Sequence, residues 1–241
     1  MKFYWFIVFY SLLFYNISFR CLGQQRVNDS NLYQYKSSSE DGTGKLYLGR
    51  EIATMQGFEG ASWLERNNRA KEENTYKALK LFPIKSNSLI ADLGAGTGYY
   101  TFKAAKMVPN GKVYAVEVQQ QYILYLNKKI RDLGVSNVMV VKGTEKSPGL
   151  PLGKLDLIFL VDVYHEFLYP KEMLFGILKS LKPNGLILLL EYKGENEEVP
   201  IKPLHKMTII QVDKELSANG FKKLSINETL PWQHLIIYQK K

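Results

Sequence analysis

The sequence predicts an α/β domain built on a doubly wound, mostly parallel sheet. Apolar runs of strand length alternate with helix-length segments from residue 88 to residue 190. The runs are almost continuously apolar, which is typical of strands that helices cover on both faces. Two further strand-like runs close the chain with no helix between them, so we expect an antiparallel edge.

The predicted elements follow one another in a regular order. Thr208 can cap a late helix, which Asn219-Gly220 would end. Strands are predicted at residues 89–93, 113–118, 138–141, 155–161, 186–190, 221–226 and 235–238. Helices are predicted at residues 100–107, 119–133, 171–181 and 208–218. Together they form a domain over residues 83–241.

The first 23 residues have the pattern of a secretory signal peptide. Lys2 supplies a positive start, residues 3–19 are mostly apolar, and Cys21-Leu22-Gly23 is a small-residue cleavage site. We therefore expect an exported, periplasmic or extracellular protein. The alternative is an uncleaved anchor that attaches the protein to a membrane through residues 3–19.

Two segments separate that start from the α/β domain. Residues 24–45 are polar and are predicted as a linker. Residues 46–82 are predicted as a helical cap, in which one helix begins at Ser62 and ends near Leu81. Trp63, Arg66 and Tyr76 either cover a bound acceptor or pack on the sheet.

Composition excludes several classes of protein. With 46% apolar and 23% charged residues in 241, the chain is neither a disordered polymer nor a polytopic membrane protein. A single cysteine, Cys21, excludes a disulfide scaffold and a thiolate zinc cluster. The net charge is +9, but Arg66 and Arg69 stand among Glu65, Glu72 and Glu73, as on a solvated surface. We therefore expect no nucleic-acid partner.

A glycine loop stands where the first strand meets the first helix, in Asp92-Leu93-Gly94-Ala95-Gly96-Thr97-Gly98. Glycines let the backbone approach a ligand, and the helix beyond offers free N–H groups. A dinucleotide fingerprint needs its third glycine at position 99, where Tyr99 stands. A tight turn in an unrelated α/β domain remains the alternative.

Two acids indicate which ligand the loop would bind. Asp92 can accept a hydrogen bond from an ammonium group but would repel a pyrophosphate. Glu117, near the end of the second strand, can accept from both hydroxyls of a ribose. The predicted ligand therefore has a ribose and a cation, which fits S-adenosylmethionine better than NAD.

These features resemble class I S-adenosylmethionine-dependent methyltransferases over about residues 79–238. The resemblance also includes the runs Leu155-Asp156-Leu157-Ile158-Phe159 and Leu181-Lys182-Pro183-Asn184-Gly185. More narrowly, the chain resembles bacterial methyltransferase-domain proteins with Val161-Asp162-Val163-Tyr164-His165-Glu166 and Pro200-Ile201-Lys202-Pro203-Leu204-His205-Lys206-Met207.

The resemblance implies a Rossmann-like methyltransferase fold, with seven strands of which one is antiparallel. It implies S-adenosylmethionine as cofactor, with Glu117 on the ribose and Thr144 in the loop that touches adenine. Other implied cofactor contacts are Asp92, Gly94, Gly96 and Gly98, and Asp162 at the amino end.

Two histidines fall at the carboxyl edge of the predicted sheet, where such sheets bind ligands. His165 follows the fourth strand and His205 follows the fifth. With an ordinary pKa near ~6.5, a histidine can remove a proton from a methyl acceptor. We predict His165, Glu166 and His205 as catalytic. Structural roles are the alternatives: a cap for His165, a surface ring for His205 and a lysine partner for Glu166.

The same region contains potential metal ligands. His165, Glu166, Glu191 and His205 could bind a divalent ion, but no His-x-x-x-His pair is present, so no metal is predicted. His234 is predicted to be structural.

The predicted function is methyl transfer to a small molecule. An exported cofactor-binding protein without turnover is the alternative. A nicotinamide oxidoreductase is the third possibility, and Tyr99 disfavours it.

Overall fold

The computed structural model describes residues 32–241. The predicted signal segment, with its apolar residues 3–19, lies outside the described residues, as does the first part of the predicted linker. Within residues 32–241, no helix is both long enough and apolar enough to span a bilayer.

The central sheet has seven strands in the order β6-β5-β4-β7-β8-β10-β9. β10 pairs antiparallel with both of its neighbours, and the other pairs are parallel. The strands are β4 (Leu89–Leu93), β5 (Lys112–Glu117), β6 (Val138–Lys142), β7 (Leu155–Val161), β8 (Leu181–Tyr192), β9 (Phe221–Asn227) and β10 (Gln233–Lys240). The predicted fold class, a mostly parallel seven-stranded sheet with one antiparallel strand, is confirmed.

Helices cover both faces of this sheet, as the continuous apolar strands predicted. Successive residues of β4 point to opposite faces, so Ile90 lies in one buried cluster and Ala91 in the other. The helices are α4 (Thr101–Met107), α5 (Gln120–Leu133), α6 (Pro170–Ser180) and α7 (Ile209–Ala218). The first cluster includes residues of α4 and α5, and the second includes residues of α6 and α7.

β8 begins earlier than predicted. Leu155 of β7 faces Leu181, but Leu157 faces Leu186, so the residues between them form a bulge. The Lys182-Pro183-Asn184-Gly185 run of the resemblance forms that bulge. Regular pairing then continues to Val161 and Leu190, which brings both strands to the same edge of the sheet.

The prediction of a polar linker over residues 24–45 is wrong where the structure describes it. Residues 33–53 form a three-stranded antiparallel sheet with β1 (Tyr33–Tyr35), β2 (Gly42–Tyr47) and β3 (Arg50–Ala53). A sheet of polar residues is stable here because their buried polar groups are hydrogen-bonded. The buried Glu51 carboxylate, for example, accepts from the backbone N–H groups of Ser39 and Gly44.

The single helix predicted from Ser62 to Leu81 is also wrong. The structure has three short helices, α1 (Ala61–Leu64), α2 (Arg69–Glu73) and α3 (Thr75–Lys80). Asn74 ends α2 with a left-handed φ of 51°, and its side chain accepts from the N–H of Lys77 to cap α3. Asparagine tolerates this conformation better than most residues. The helix is therefore interrupted at Asn74, although the apolar periodicity continues through it.

Candidate functional site

An open cavity lies at the carboxyl edge of the sheet, above β4, β5 and β7. Its walls include five of the predicted cofactor residues, which are Gly94, Gly96, Glu117, Thr144 and Asp162. The crossover order places the carboxyl ends of these strands side by side, as expected for a ligand site in an open α/β sheet.

The glycine loop forms one wall of this cavity because it has no side chains to fill it. Gly94 and Gly96 have φ angles of 79° and 53°, which side chains rarely allow. A Cβ atom on Gly94 would lie 2.5 Å from Val163 Cγ2, and one on Gly96 would lie 2.8 Å from Leu64 Cδ1. These two positions require glycine for their backbone conformation and for packing against Val163 and Leu64. Both glycines also line the cavity, where they present backbone to a ligand.

Glu117 stands at the tip of β5 and is fixed by backbone donors. Its Oε2 accepts from the N–H of Gly96 at 3.0 Å, and its Oε1 accepts from the N–H groups of Val118 and Gln119 at 2.7 and 3.0 Å. A carboxylate has about four lone-pair positions, so one remains to accept from a ribose hydroxyl.

Asp162 follows β7 and has one oxygen without a partner. Its Oδ2 accepts from Gln233 Nε2 at 2.7 Å, while its Oδ1 is buried with no hydrogen bond. The residue has a left-handed φ of 50°. Burial, with the nearby charges of Glu73 and Glu191, raises the pKa of Asp162 well above its usual value, and Arg69 opposes the shift. A ligand cation at Oδ1 would satisfy both the unpaired oxygen and the buried charge.

Two predicted cofactor residues lie off the cavity wall. Asp92 is buried behind the loop, where its Oδ2 accepts from Thr101 Oγ1 at 2.6 Å. Burial raises the pKa of Asp92 to about 7, against the Thr101 hydrogen bond. Gly98 packs instead under α4, since a Cβ there would lie 2.4 Å from Phe102 Cε2. Its φ of 77° and this close packing, rather than ligand contact, require glycine.

A second cavity adjoins the first. The two share Met55, Gln56, Leu64, Asp162 and Glu166 as walls. The second cavity is further lined by Trp63, Arg69, His165, Tyr192, Ile201, Lys202 and His205. A molecule in the second cavity would therefore face a ligand in the first across a shared boundary.

The short helices α1 to α3 form a lid that a buried carboxylate holds in place. Leu64 of this lid lines both cavities, and Trp63 and Arg69 line the second. Glu73 is fully buried, and its oxygens accept from Arg66 Nη2, Arg69 Nε and the Tyr192 hydroxyl, each at 2.8 Å. Trp63 lines the second cavity with the Arg66 guanidinium over its ring. Tyr76 is 72% exposed and lines neither cavity, so the structure supports neither of the two roles considered for it.

The structure brings the three predicted catalytic residues together. His205 Nδ1 lies 3.2 Å from His165 Nε2. Glu166 Oε1 lies 3.6 Å from His205 Nδ1 and 3.9 Å from His165 Nε2. His165 Nδ1 lies 2.7 Å from Oε2 of the fully buried Glu191. Burial lowers the pKa of His165, but the Glu191 carboxylate outweighs it, so that the pKa lies above the ordinary value.

Other residues of the site carry no sequence pattern. Arg50 in β3 contacts His165 through the backbone, and Gln233 in β10 contacts Asp162. Each is a lone polar residue far along the chain from its partner, so only the fold reveals the contact. His234 is fully buried, and its Nε2 lies 2.8 Å from the carbonyl oxygen of Met207, as expected for its predicted structural role.

Comparisons with known proteins agree with this geometry. A family described as "Methyltransferase domain" matches residues 84–234. The crystal structure of a SAM dependent methyltransferase from Aquifex aeolicus superimposes with a TM-score of 0.73 at 26% identity, covering 78% of this chain and 100% of that one. The [4+2]-cyclase SpnF is similar in fold alone, with a TM-score of 0.61 at 16% identity, covering 79% of this chain and 87% of that one.

Two curated relatives match shorter stretches. A tRNA U34 carboxymethyltransferase from Desulfotalea psychrophila is 33% identical over 123 residues, which are 50% of this chain and 37% of that protein. The ubiquinone/menaquinone biosynthesis C-methyltransferase UbiE from Pseudomonas savastanoi is 26% identical over 127 residues, which are 52% of this chain and 50% of that protein. The chain thus spans half or less of the length of these two relatives.

The first cavity fits S-adenosylmethionine on three observations of this structure. The glycine loop lines the cavity with backbone, Glu117 has a free acceptor position, and Asp162 Oδ1 is an unpaired buried oxygen for a cation. The family match covers more than half of the chain, and it includes the glycine loop, Glu117 and Asp162. The chain therefore belongs to the methyltransferase-domain family, and it has the fold and cofactor class of the S-adenosylmethionine-dependent methyltransferases.

Proposed function

We propose that the protein transfers the methyl group of S-adenosylmethionine to a small molecule bound in the second cavity. The observation that carries this proposal is the boundary that the two cavities share at Leu64, Asp162 and Glu166. Two reactants held on either side of one boundary react as if in a single molecule, because their encounter and orientation are already fixed by binding. S-adenosylmethionine supplies a methyl group on a positively charged sulfur.

The residues of the first cavity have separate tasks in this function. Glu117 would hold the ribose, and Asp162 would hold the amino end of the cofactor through its unpaired Oδ1. Leu64 closes over Gly96 from the lid and excludes water from the reacting atoms. The histidine cluster at the floor of the second cavity faces the acceptor and would activate its nucleophilic atom.

The charges of the second cavity favour a small acceptor over a nucleic acid. One relative is named for tRNA and the other for ubiquinone and menaquinone biosynthesis. Binding to a nucleic acid requires cations that are free to pair with phosphates. In this cavity Arg69 is bound to Glu73, and Lys202 Nζ lies 2.7 Å from Asp41 Oδ1. The aromatic and apolar walls at Trp63 and Tyr192 suit a small organic molecule instead.

The test measures cofactor binding and turnover separately. We expect calorimetry to show that the full chain binds S-adenosylmethionine and not NAD. Asp162→Asn should weaken that binding at least about tenfold, because a hydrogen bond to a charged group contributes about 1.5–3 kcal/mol. Asp156→Asn is the matched control, since Asp156 lies at the other end of β7, the strand that Asp162 follows. Its carboxylate accepts from the Leu89 N–H and from Lys182 Nζ.

Turnover is measured with a methyl-labelled cofactor and a fractionated extract. Label in a small organic product supports the proposal, and label in tRNA contradicts the acceptor class. Cofactor binding without a labelled product from any fraction would favour a binding protein without turnover. Preference for NAD over S-adenosylmethionine would overturn the proposed function.

A further inference from the structure

We propose that His165, Glu166 and His205 bind one divalent transition-metal ion at the floor of the second cavity. The expectation of no metal rested on spacing along the chain, but the fold brings these ligands together from two separate loops. Their three ligand atoms lie within 4.8 Å of one another. The inference deepens the proposed function, because the ion would act on the acceptor that this function requires.

The distances among the three atoms match the size of such an ion. Nε2 of His165, Nδ1 of His205 and Oε1 of Glu166 form a triangle with sides of 3.2, 3.6 and 3.9 Å. A circle through the three corners has a radius of about 2.1 Å, which is the ordinary length of zinc–nitrogen and zinc–oxygen bonds. One ion can therefore contact all three atoms with little rearrangement of the side chains.

The tautomer of His165 is set for metal binding. The Glu191 carboxylate lies 2.7 Å from Nδ1 of His165 and accepts its proton in a hydrogen bond, which leaves the lone pair on Nε2. Histidines that bind metals are commonly oriented by a carboxylate in this way. Glu191 is in turn fixed by the N–H of Tyr164, which donates to its Oε1 at 2.8 Å. The ring of His165 is thus held in one orientation.

The chemistry of the donors selects the class of ion. Two imidazoles and one carboxylate suit zinc, iron or cobalt, whereas magnesium and calcium prefer oxygen ligands alone. Three protein ligands leave a coordination position open, as in catalytic rather than structural zinc sites. Because all three residues line the second cavity, the open position faces the acceptor.

The ion would activate an acceptor that carries a hydroxyl group. Coordination lowers the pKa of a bound hydroxyl, so its proton passes to bulk water near neutral pH. The oxygen lone pair then forms a bond to the methyl carbon as the carbon–sulfur bond breaks. The products are the methyl ether, the neutral thioether S-adenosylhomocysteine and one proton, which balances atoms and charge.

The first test measures metal binding without any turnover. The untagged full chain is stripped with a chelator and titrated with Zn²⁺ or Co²⁺. We expect one ion per chain, and with Co²⁺ a visible absorption band from the nitrogen and oxygen ligands. Zn²⁺ should abolish this band by competition. A stripped chain that binds neither ion stoichiometrically would overturn the proposal.

Variants assign the ion to this site. His205→Ala and Glu166→Gln should lower Co²⁺ affinity by more than the about 10–100-fold expected for Glu191→Gln, which loses only an orienting contact. Glu197→Gln is the matched control, because Glu197 is exposed and lies outside both cavities. Circular dichroism and urea unfolding show that each variant is folded. Unchanged Co²⁺ affinity in both His205→Ala and Glu166→Gln would contradict the site.

Activity then separates this inference from the proposed function. Equal methyl transfer by the stripped and the Zn²⁺-loaded chain would overturn the activating role of the ion and leave methyl transfer intact, with the histidine pair as base. One bound ion per chain without any cofactor binding would overturn the proposed function and leave the metal site intact.

Discussion

Arg50 donates a hydrogen bond of 2.9 Å from Nη1 to the main-chain carbonyl oxygen of His165. Its Nε and Nη2 donate to the two oxygens of Glu215 in α7, at 2.7 and 3.0 Å. The Arg50 guanidinium therefore connects three parts of the protein. These are the N-terminal sheet, which contains Arg50, helix α7, and the loop that carries His165. A planar group with five donors is suited to such a junction.

We expect Arg50→Met to destabilise the protein by about 3–5 kcal/mol, because it leaves the buried Glu215 carboxylate without its cation. Urea unfolding followed by circular dichroism measures this change in the free energy of unfolding. Arg50→Lys should recover only part of the loss, since lysine cannot bond to Glu215 and His165 in the same geometry.

An exposed ion pair provides the control for this experiment. Lys128 and Asp132 form an i,i+4 pair whose side chains are 70% and 56% exposed. Lys128→Met should therefore cost no more than about 0.5 kcal/mol. A cost for Arg50→Met as small as that of the control would show that the junction does not stabilise the fold.

The stability of the protein should depend on pH through Asp92, whose pKa burial raises to about 7. In the unfolded chain this carboxyl ionises near its ordinary pKa of 3.8, so folding binds a proton between those two values. The free energy of unfolding that this group contributes is present below pH 4 and is lost as pH rises through 7. The largest slope is about 1.4 kcal/mol per pH unit.

Asp92→Asn removes that titration while keeping the shape of the side chain. Urea unfolding without cofactor, at several values from pH 5 to pH 8, should show the variant gaining stability relative to the parent protein as pH rises. Parallel pH profiles for the two proteins would mean that Asp92 is already ionised in the folded protein at pH 5.

Gly96→Ala should weaken cofactor binding at least about tenfold, because a Cβ there meets Leu64 Cδ1 at 2.8 Å in a backbone with φ of 53°. Gly134→Ala is a matched control for backbone strain. Gly134 ends α5 with φ of 61°, and nothing lies within 4 Å of its added Cβ.

Calorimetry with S-adenosylmethionine separates the two effects. The Gly134→Ala variant should lose about 1 kcal/mol of stability and bind the cofactor normally. Equal affinity in both variants would show that the close approach of Leu64 to the glycine loop is not needed for binding.

We propose that residues 1–23 direct export and are then removed, on the pattern of a positive start, an apolar middle and a small-residue cleavage site. Sequencing the amino terminus of the native protein tests this. We expect a first residue of Gln24, after cleavage behind Gly23. A native chain that starts at Met1 and sediments with membranes would indicate an uncleaved anchor instead.

Local sequence determined the central sheet and the glycine-loop wall of the first cavity, because both depend on short-range chemistry. Continuous apolar runs predicted all seven strands of that sheet, and the glycine loop with Glu117 predicted the cofactor edge. A turn that requires a positive φ, as at Gly94 and Gly96, is visible in the residue type alone.

Tertiary structure alone decided the elements that surround the cofactor edge of the sheet, which are the N-terminal strands, the lid and the histidine pair. The contacts that form them join residues that are far apart along the chain. The N-terminal strands appear polar in sequence, and only pairing of groups such as Glu51 makes them stable. The helix predicted for the lid is interrupted at Asn74, because the Asn74 side chain caps a new helix there in spite of the continuing apolar periodicity. His165 and His205 reach hydrogen-bond distance through the folds of two loops, and no spacing between them in sequence could have predicted that.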